Sequence, residues 1–214
     1  MEQTAFTKKY LIVNEVFNAI THGIGTGLSI AGLVLLVIKG AQMHSPIHVV
    51  SYSIFGASMI LLFLFSTLFH SLIFTKAKKV FQVFDHSSIY ILIAGSYTPF
   101  CLLTIQGWLG WTLFAIVWTI AITGVIFKSI WLNKRGKTDV VLYIIMGWLC
   151  LVAIKPLFLG LGKTGFLLLF LGGVSYTVGA LFYSMKNVKF MHVVWHLFVL
   201  LGAIFIFFSV YLFT

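Results

Sequence analysis

Seven stretches of predominantly apolar residues, each long enough to cross a bilayer, dominate the chain. They lie near 19–38, 49–73, 86–105, 108–127, 139–158, 165–184 and 190–213. About 20 such residues are needed for a helix to span the hydrocarbon core. Segments such as "SMILLFLFSTLF" and "FLLLFLGGVSYTVGALFY" are apolar on every side, whereas a membrane β-barrel requires short strands of alternating hydropathy. The pattern therefore predicts an all-α integral membrane protein. It is a seven-helix bundle forming one domain over 1–214, with connections too short to hold a soluble domain.

Composition agrees: 61% of residues are hydrophobic and 8% charged, against about 25% charged in ordinary globular domains. Fourteen residues are basic, and they are distributed unevenly. With the amino terminus in the cytoplasm, the inner segments hold Lys8, Lys9, Lys76, Lys78, Lys79, Lys128, Lys134, Arg135, Lys137, Lys186 and Lys189, and the outer ones only Lys39, Lys155 and Lys163. This positive-inside bias sets the orientation, amino terminus inside and carboxyl terminus outside. The net charge of +10 is then accounted for by topology and attraction to anionic inner-leaflet lipids. No basic groove interleaved with aromatics points to nucleic acid, and no protein partner can be inferred. The expected location is the bacterial cell (inner) membrane, with membrane lipids as partners.

Ahead of the first span, "YLIVNEVFNAITHG" breaks its apolar run with Asn14, Glu15 and Asn18, which does not fit a cleavable signal peptide. Phe6, Tyr10, Val13 and Phe17 recur at about helical spacing, so 1–17 reads as a short interfacial helix or as an extension of the first span. Small residues are expected to let helices approach closely: Gly23 and Gly27, spaced as GxxxG, then Ser29 and Gly32, and Gly172, Gly173 and Gly179 in the sixth span. Pro99 is expected to kink the third span, with nearby hydroxyls satisfying freed carbonyls. Trp108, Trp111, Trp118, Trp131, Trp148 and Trp195 read mostly as interface or packing aromatics. Cys101 and Cys150 read as free buried thiols, with a disulfide left open, and Asp139 reads as a solvated loop charge.

Topology assigns depths to the polar residues. Ser66 and His70 close the second span, Asp85 opens the third, His192 and His196 open the seventh, and Glu15, Asn18 and His22 open the first. All lie in one inner layer, while the outer halves of the spans contain no acid. Ionisable groups inside a membrane carry a functional expectation. His192 and His196, at i and i+4, share a helical face about 6 Å apart along the axis. With His70 they would offer three imidazoles and an open fourth position, the arrangement of a catalytic zinc. Asp85 can accept a hydrogen bond from water at that position, and Ser66, one turn deeper than His70, can orient the water or the substrate. Glu15, Asn18 and His22 are candidate outer contacts of the centre. His86 is a spare candidate, but its side chain leaves the helix about 100° from that of Asp85, which favours packing.

These residues carry a family resemblance. "STLFH" at Ser66–His70, Asp85, "YTPF" at Tyr97–Phe100, "HVVWH" and "EVFNAITH" together resemble the hemolysin III family, the bacterial branch of the progestin and adipoQ receptor superfamily, across essentially the whole chain. The resemblance implies a seven-helix bundle with a cytoplasmic amino terminus. It also implies a zinc ion near the inner leaflet held by His70, His192 and His196, with Asp85 reaching it through water. Membership of a wider group with alkaline ceramidases points to hydrolysis of a lipid-like amide or ester, in membrane lipid homeostasis. The chain lacks the long terminal regions of the adiponectin receptors, so hormone binding does not carry over. Red-cell lysis is attributed to some members, but wholly apolar helices do not suit a secreted toxin. Two further classes remain: a non-enzymatic sensor or regulator of membrane state with a structural zinc, and ion conduction, which lacks a polar path through the outer halves.

Overall fold

The computed structural model describes residues 6–130, 136–185 and 187–214, so Trp131, Lys134, Arg135, Lys186 and the first five residues of the expected interfacial segment lie outside the described residues. The elements are α1 (Lys8–Gln42), α2 (Pro46–Ser71), α3 (Lys78–Pro99), α4 (Gly107–Ile130), α5 (Gly136–Trp148), α6 (Ile154–Ser184) and α7 (Met191–Phe213). There are no strands among the described residues, and six helical segments are long and apolar enough to cross a membrane. The chain is an all-helical, multi-pass membrane protein. Residues 8–17 continue into the first span as one uninterrupted helix of 35 residues, the extension that the sequence left open.

The fifth and sixth expected spans fall within a single segment of 46 residues, Asp139–Ser184. Straight, it would run about 69 Å at 1.5 Å per residue. It is not straight: Gly162, at φ 65° and ψ 178°, leaves the helical region altogether, in a conformation open to residues without Cβ. Phe158 and Phe166 meet across this break with ring centroids 5.5 Å apart. Trp148 Nε1 donates to Thr177 Oγ1 at 3.0 Å, although a straight helix would hold the two about 44 Å apart. The chain therefore doubles back at Gly162.

Helix α1 buries one stripe, Asn14, Asn18, His22, Gly25, Ser29, Gly32, Leu36 and Gly40. This corrects the GxxxG reading. Gly27 has nothing within 4 Å of where a Cβ would sit, and Gly23 meets only Thr67 at 3.8 Å. The close approach is at Gly25, where a Cβ would stand 2.5 Å from Phe63. Two residues advance a helix by about 200°, so the register chosen from spacing alone faced the wrong way. Gly172 and Gly179 do serve packing, against Ile206 and against Trp195 and Phe198 of α7.

Two departures from α geometry shape the interior. At Pro99 the helix passes into a π segment, Phe100–Ile105, with the Thr98 hydroxyl donating to the Ala94 carbonyl at 3.0 Å. After Trp148 a 3-10 segment, Leu149–Ala153, begins. The Tyr97 hydroxyl bridges its start, bonding the Met146 and Gly147 carbonyls and accepting from the Cys150 N–H at 2.7 Å. Cys101 and Cys150 are both free thiols.

Candidate metal centre

Helix α7 begins from an unusual residue. Phe190 caps it in the left-handed region at φ 61°, which bulky residues seldom adopt. Its N–H donates to the Tyr10 hydroxyl at 2.9 Å, and its ring meets the edge of Tyr10 with centroids 5.1 Å apart. The first turns of α1 thus pin the start of α7 and set where His192 and His196 emerge.

His196 is buried, and its Nδ1 lies 3.3 Å from the Asn18 carbonyl oxygen and 3.4 Å from Thr21 Oγ1. A carbonyl only accepts, so Nδ1 carries the proton and Nε2 keeps its lone pair. On α2, His70 Nδ1 lies 2.5 Å from Glu15 Oε2. The carboxylate again requires a proton on Nδ1, and the buried Nε2 has no hydrogen-bond partner. A carboxylate or carbonyl on one imidazole nitrogen, with the other left for an ion, is the usual arrangement at metal-binding histidines.

The ring centroids of His70, His192 and His196 are 4.6–5.1 Å apart. One nitrogen from each lies within 4.8 Å of the others, a grouping that can hold a metal ion. The donors fit a borderline cation such as zinc: three imidazoles, two of them with the outer nitrogen held, and one buried lone pair left without a partner.

The other expected residues gather around this group. His22 stacks on His196 with centroids 3.6 Å apart and planes 13° from parallel, and its ring stands edge-on to Phe63. Ser66 and Asp85 face the same space beside it. Ser66, Asp85, His22, His192 and His196 line one cavity of about 180 Å³, whose further walls include the apolar Ile93, Leu157, Phe170 and Ile206.

His86 stays outside the group of three histidines, packed edge-on to Phe69 with its Nε2 3.9 Å from Asp85 Oδ2, and borders the same cavity. Asp139 is not a solvated loop charge. It is 7% exposed and paired with Lys128, itself 5% exposed, across α4 and α5. This pair also borders the cavity. The sequence signal that could have revealed it was a basic residue ending one span and an acid opening the next, on the same side of the membrane.

A family model described as Haemolysin-III related matches residues 10–207. The chain is 51% identical to Hemolysin-3 of Bacillus cereus over 199 residues, covering 93% of this chain and 91% of the relative. It is 48% identical to the Hemolysin-3 homolog of Bacillus subtilis (strain 168), covering 94% of each. It is also 28% identical over 156 residues to the human Monocyte to macrophage differentiation factor, covering 70% of this chain and 64% of that protein. No solved structure matches.

Proposed function

The chain belongs to the Haemolysin-III related family, and within it we propose a zinc-binding membrane hydrolase acting on a lipid-like amide or ester. The observation that carries this reading is the buried, unpartnered Nε2 of His70, on an imidazole grouped with those of His192 and His196. A buried polar atom without a hydrogen bond is destabilising, and an ion at that point relieves it.

We read the topology as seven crossings with the amino terminus inside. The reversal at Gly162 supports it, because it divides a segment too long for one crossing into two. The excess of basic residues on one side supports the orientation. In this topology α1 is longer than the hydrocarbon core, and its first turns around Lys8, Lys9 and Tyr10 lie at the inner interface.

His70, His192 and His196 would hold the zinc, which when bound supplies a Lewis acid able to polarise a carbonyl and acidify water. Glu15 and the Asn18 carbonyl fix the imidazole tautomers and orientations. Asp85, in the cavity wall with Ser66, takes up the proton of attacking water as general base. The apolar walls of the cavity receive the hydrocarbon part of a substrate entering from the bilayer and exclude bulk water.

The test begins with metal content by inductively coupled plasma mass spectrometry, on detergent-purified protein and on the His192→Ala/His196→Ala variant. About one zinc per chain, lost in the variant, is expected, followed by turnover of a panel of long-chain amides and esters that Asp85→Asn abolishes. Absence of zinc from the unaltered protein overturns the reading. A non-catalytic regulator is the second reading, favoured by the way the three histidines and Glu15 tie α1, α2 and α7 together. It predicts that Asp85→Asn retains control of membrane fluidity in a deletion strain.

A further inference from the structure

Asn18 and His22 stand at i and i+4 on one face of α1, 0% and 3% exposed. Both side-chain atoms of Asn18 and both ring nitrogens of His22 lack a hydrogen-bond partner among the described residues. Burial without a partner is costly for each such atom, yet four are gathered in one turn. The next polar residue of the stripe is different, because Ser29 donates to the Gly25 carbonyl at 2.7 Å. The deficit is therefore confined to the part of α1 that faces the three histidines.

His22 is poorly placed to be a fourth ligand. The lone pair of an imidazole lies in the plane of its ring, and the His22 and His196 planes are 13° from parallel with centroids 3.6 Å apart. Their lone pairs run side by side and do not converge on one point. His22 nonetheless lines the cavity with Ser66, Asp85, His192 and His196. A ring in this position can meet an oxygen atom that reaches the histidine group through the cavity.

We propose that His22, backed by Asn18, is a positioning residue that hydrogen-bonds the incoming oxygen ligand, whether water, carbonyl or carboxylate-like, beside the three metal-holding imidazoles. The inference rests on the metal reading above and adds an assignment for the α1 side of the centre. A neutral imidazole offers one N–H and one lone pair, and a carboxamide offers donors and an acceptor. The two side chains can thus bind an oxygen ligand and a water beside it.

The test uses full-length protein in detergent, loaded with Co²⁺ and titrated with acetohydroxamate while visible absorption is followed. Cobalt stoichiometry is measured in the same samples. His22→Phe keeps a flat ring against His196 but removes both nitrogens. It is expected to retain cobalt and to bind acetohydroxamate roughly tenfold or more weakly, the loss of one hydrogen bond to a charged ligand. His22→Gln, which restores a donor and an acceptor, is expected to recover most of the affinity, a rescue that a purely packing role would not produce. Unchanged affinity in His22→Phe, or equal weakening in His22→Gln, overturns the proposal while leaving the metal reading intact. Loss of cobalt from both variants would make His22 a ligand and also overturns it. Failure of the unaltered protein to take up cobalt overturns both readings together.

Discussion

Lys128 and Asp139 form an ion pair between α4 and α5 in which the residues are 5% and 7% exposed. Replacing Lys128 by Met removes the cation and leaves the Asp139 carboxylate buried beside Tyr90, whose hydroxyl approaches it at 3.5 Å. One neutral hydrogen bond cannot replace a full countercharge. Breaking a buried pair from one side costs about 3–5 kcal/mol, whereas replacing both partners by apolar residues of similar volume is often close to neutral. A chain of this size loses about 2–4 °C of melting temperature per kcal/mol. Lys128→Met and Asp139→Leu should therefore each melt roughly 6–20 °C below the unaltered protein. The double variant should recover most of that loss. Thermal unfolding in one detergent, followed by intrinsic tryptophan fluorescence across all four proteins, gives the coupling directly. Single variants within about 2 °C of the unaltered protein, or a double variant as unstable as the sum of the singles, would refute a buried, mutually dependent pair.

Three further outcomes are expected. Glu15→Gln keeps the shape at His70 Nδ1 but removes the charge, and should weaken zinc about 10–100-fold in competition with a chromophoric chelator. Imidazoles bind metal in their neutral form, so zinc occupancy should fall as the pH is lowered and return on neutralisation, with protons released on binding measurable by calorimetry in buffers of different ionisation enthalpy. Gly25→Ala places a Cβ 2.5 Å from the Phe63 ring, which itself abuts His22. It should destabilise by about 1–3 kcal/mol and reduce metal content, while Gly27→Ala, facing open space, leaves both unchanged.

The legibility of the centre differs from residue to residue. His192 and His196 were visible as a pair because their separation of four residues is a helical repeat along the chain. His70 and Asp85 join them only through the expectation of a shared depth, and the 4.8 Å grouping of the three histidines agrees with that expectation for His70. Glu15 could be named as an outer contact but not assigned to His70, since 55 residues separate them. Asp139 reads as a loop charge for a different reason: it sits at the end of an apolar run, where depth is ambiguous by a turn, and its partner Lys128 ends the preceding run.

The sequence by itself determined that the chain is helical and lives in a membrane, because hydropathy and segment length are properties of residues in order and need no partner to be read. It also brought His70, His192 and His196 to one depth, which follows from counting spans and agrees with their grouping. Tertiary structure alone decided which face each helix turns inward. In spans apolar on every side the pattern does not encode rotation about the helix axis, and that rotation comes from which small residues permit close approach. For this reason Gly25 and not Gly27 meets α2, Gly162 turns a long segment back on itself, and His22 comes to rest on His196.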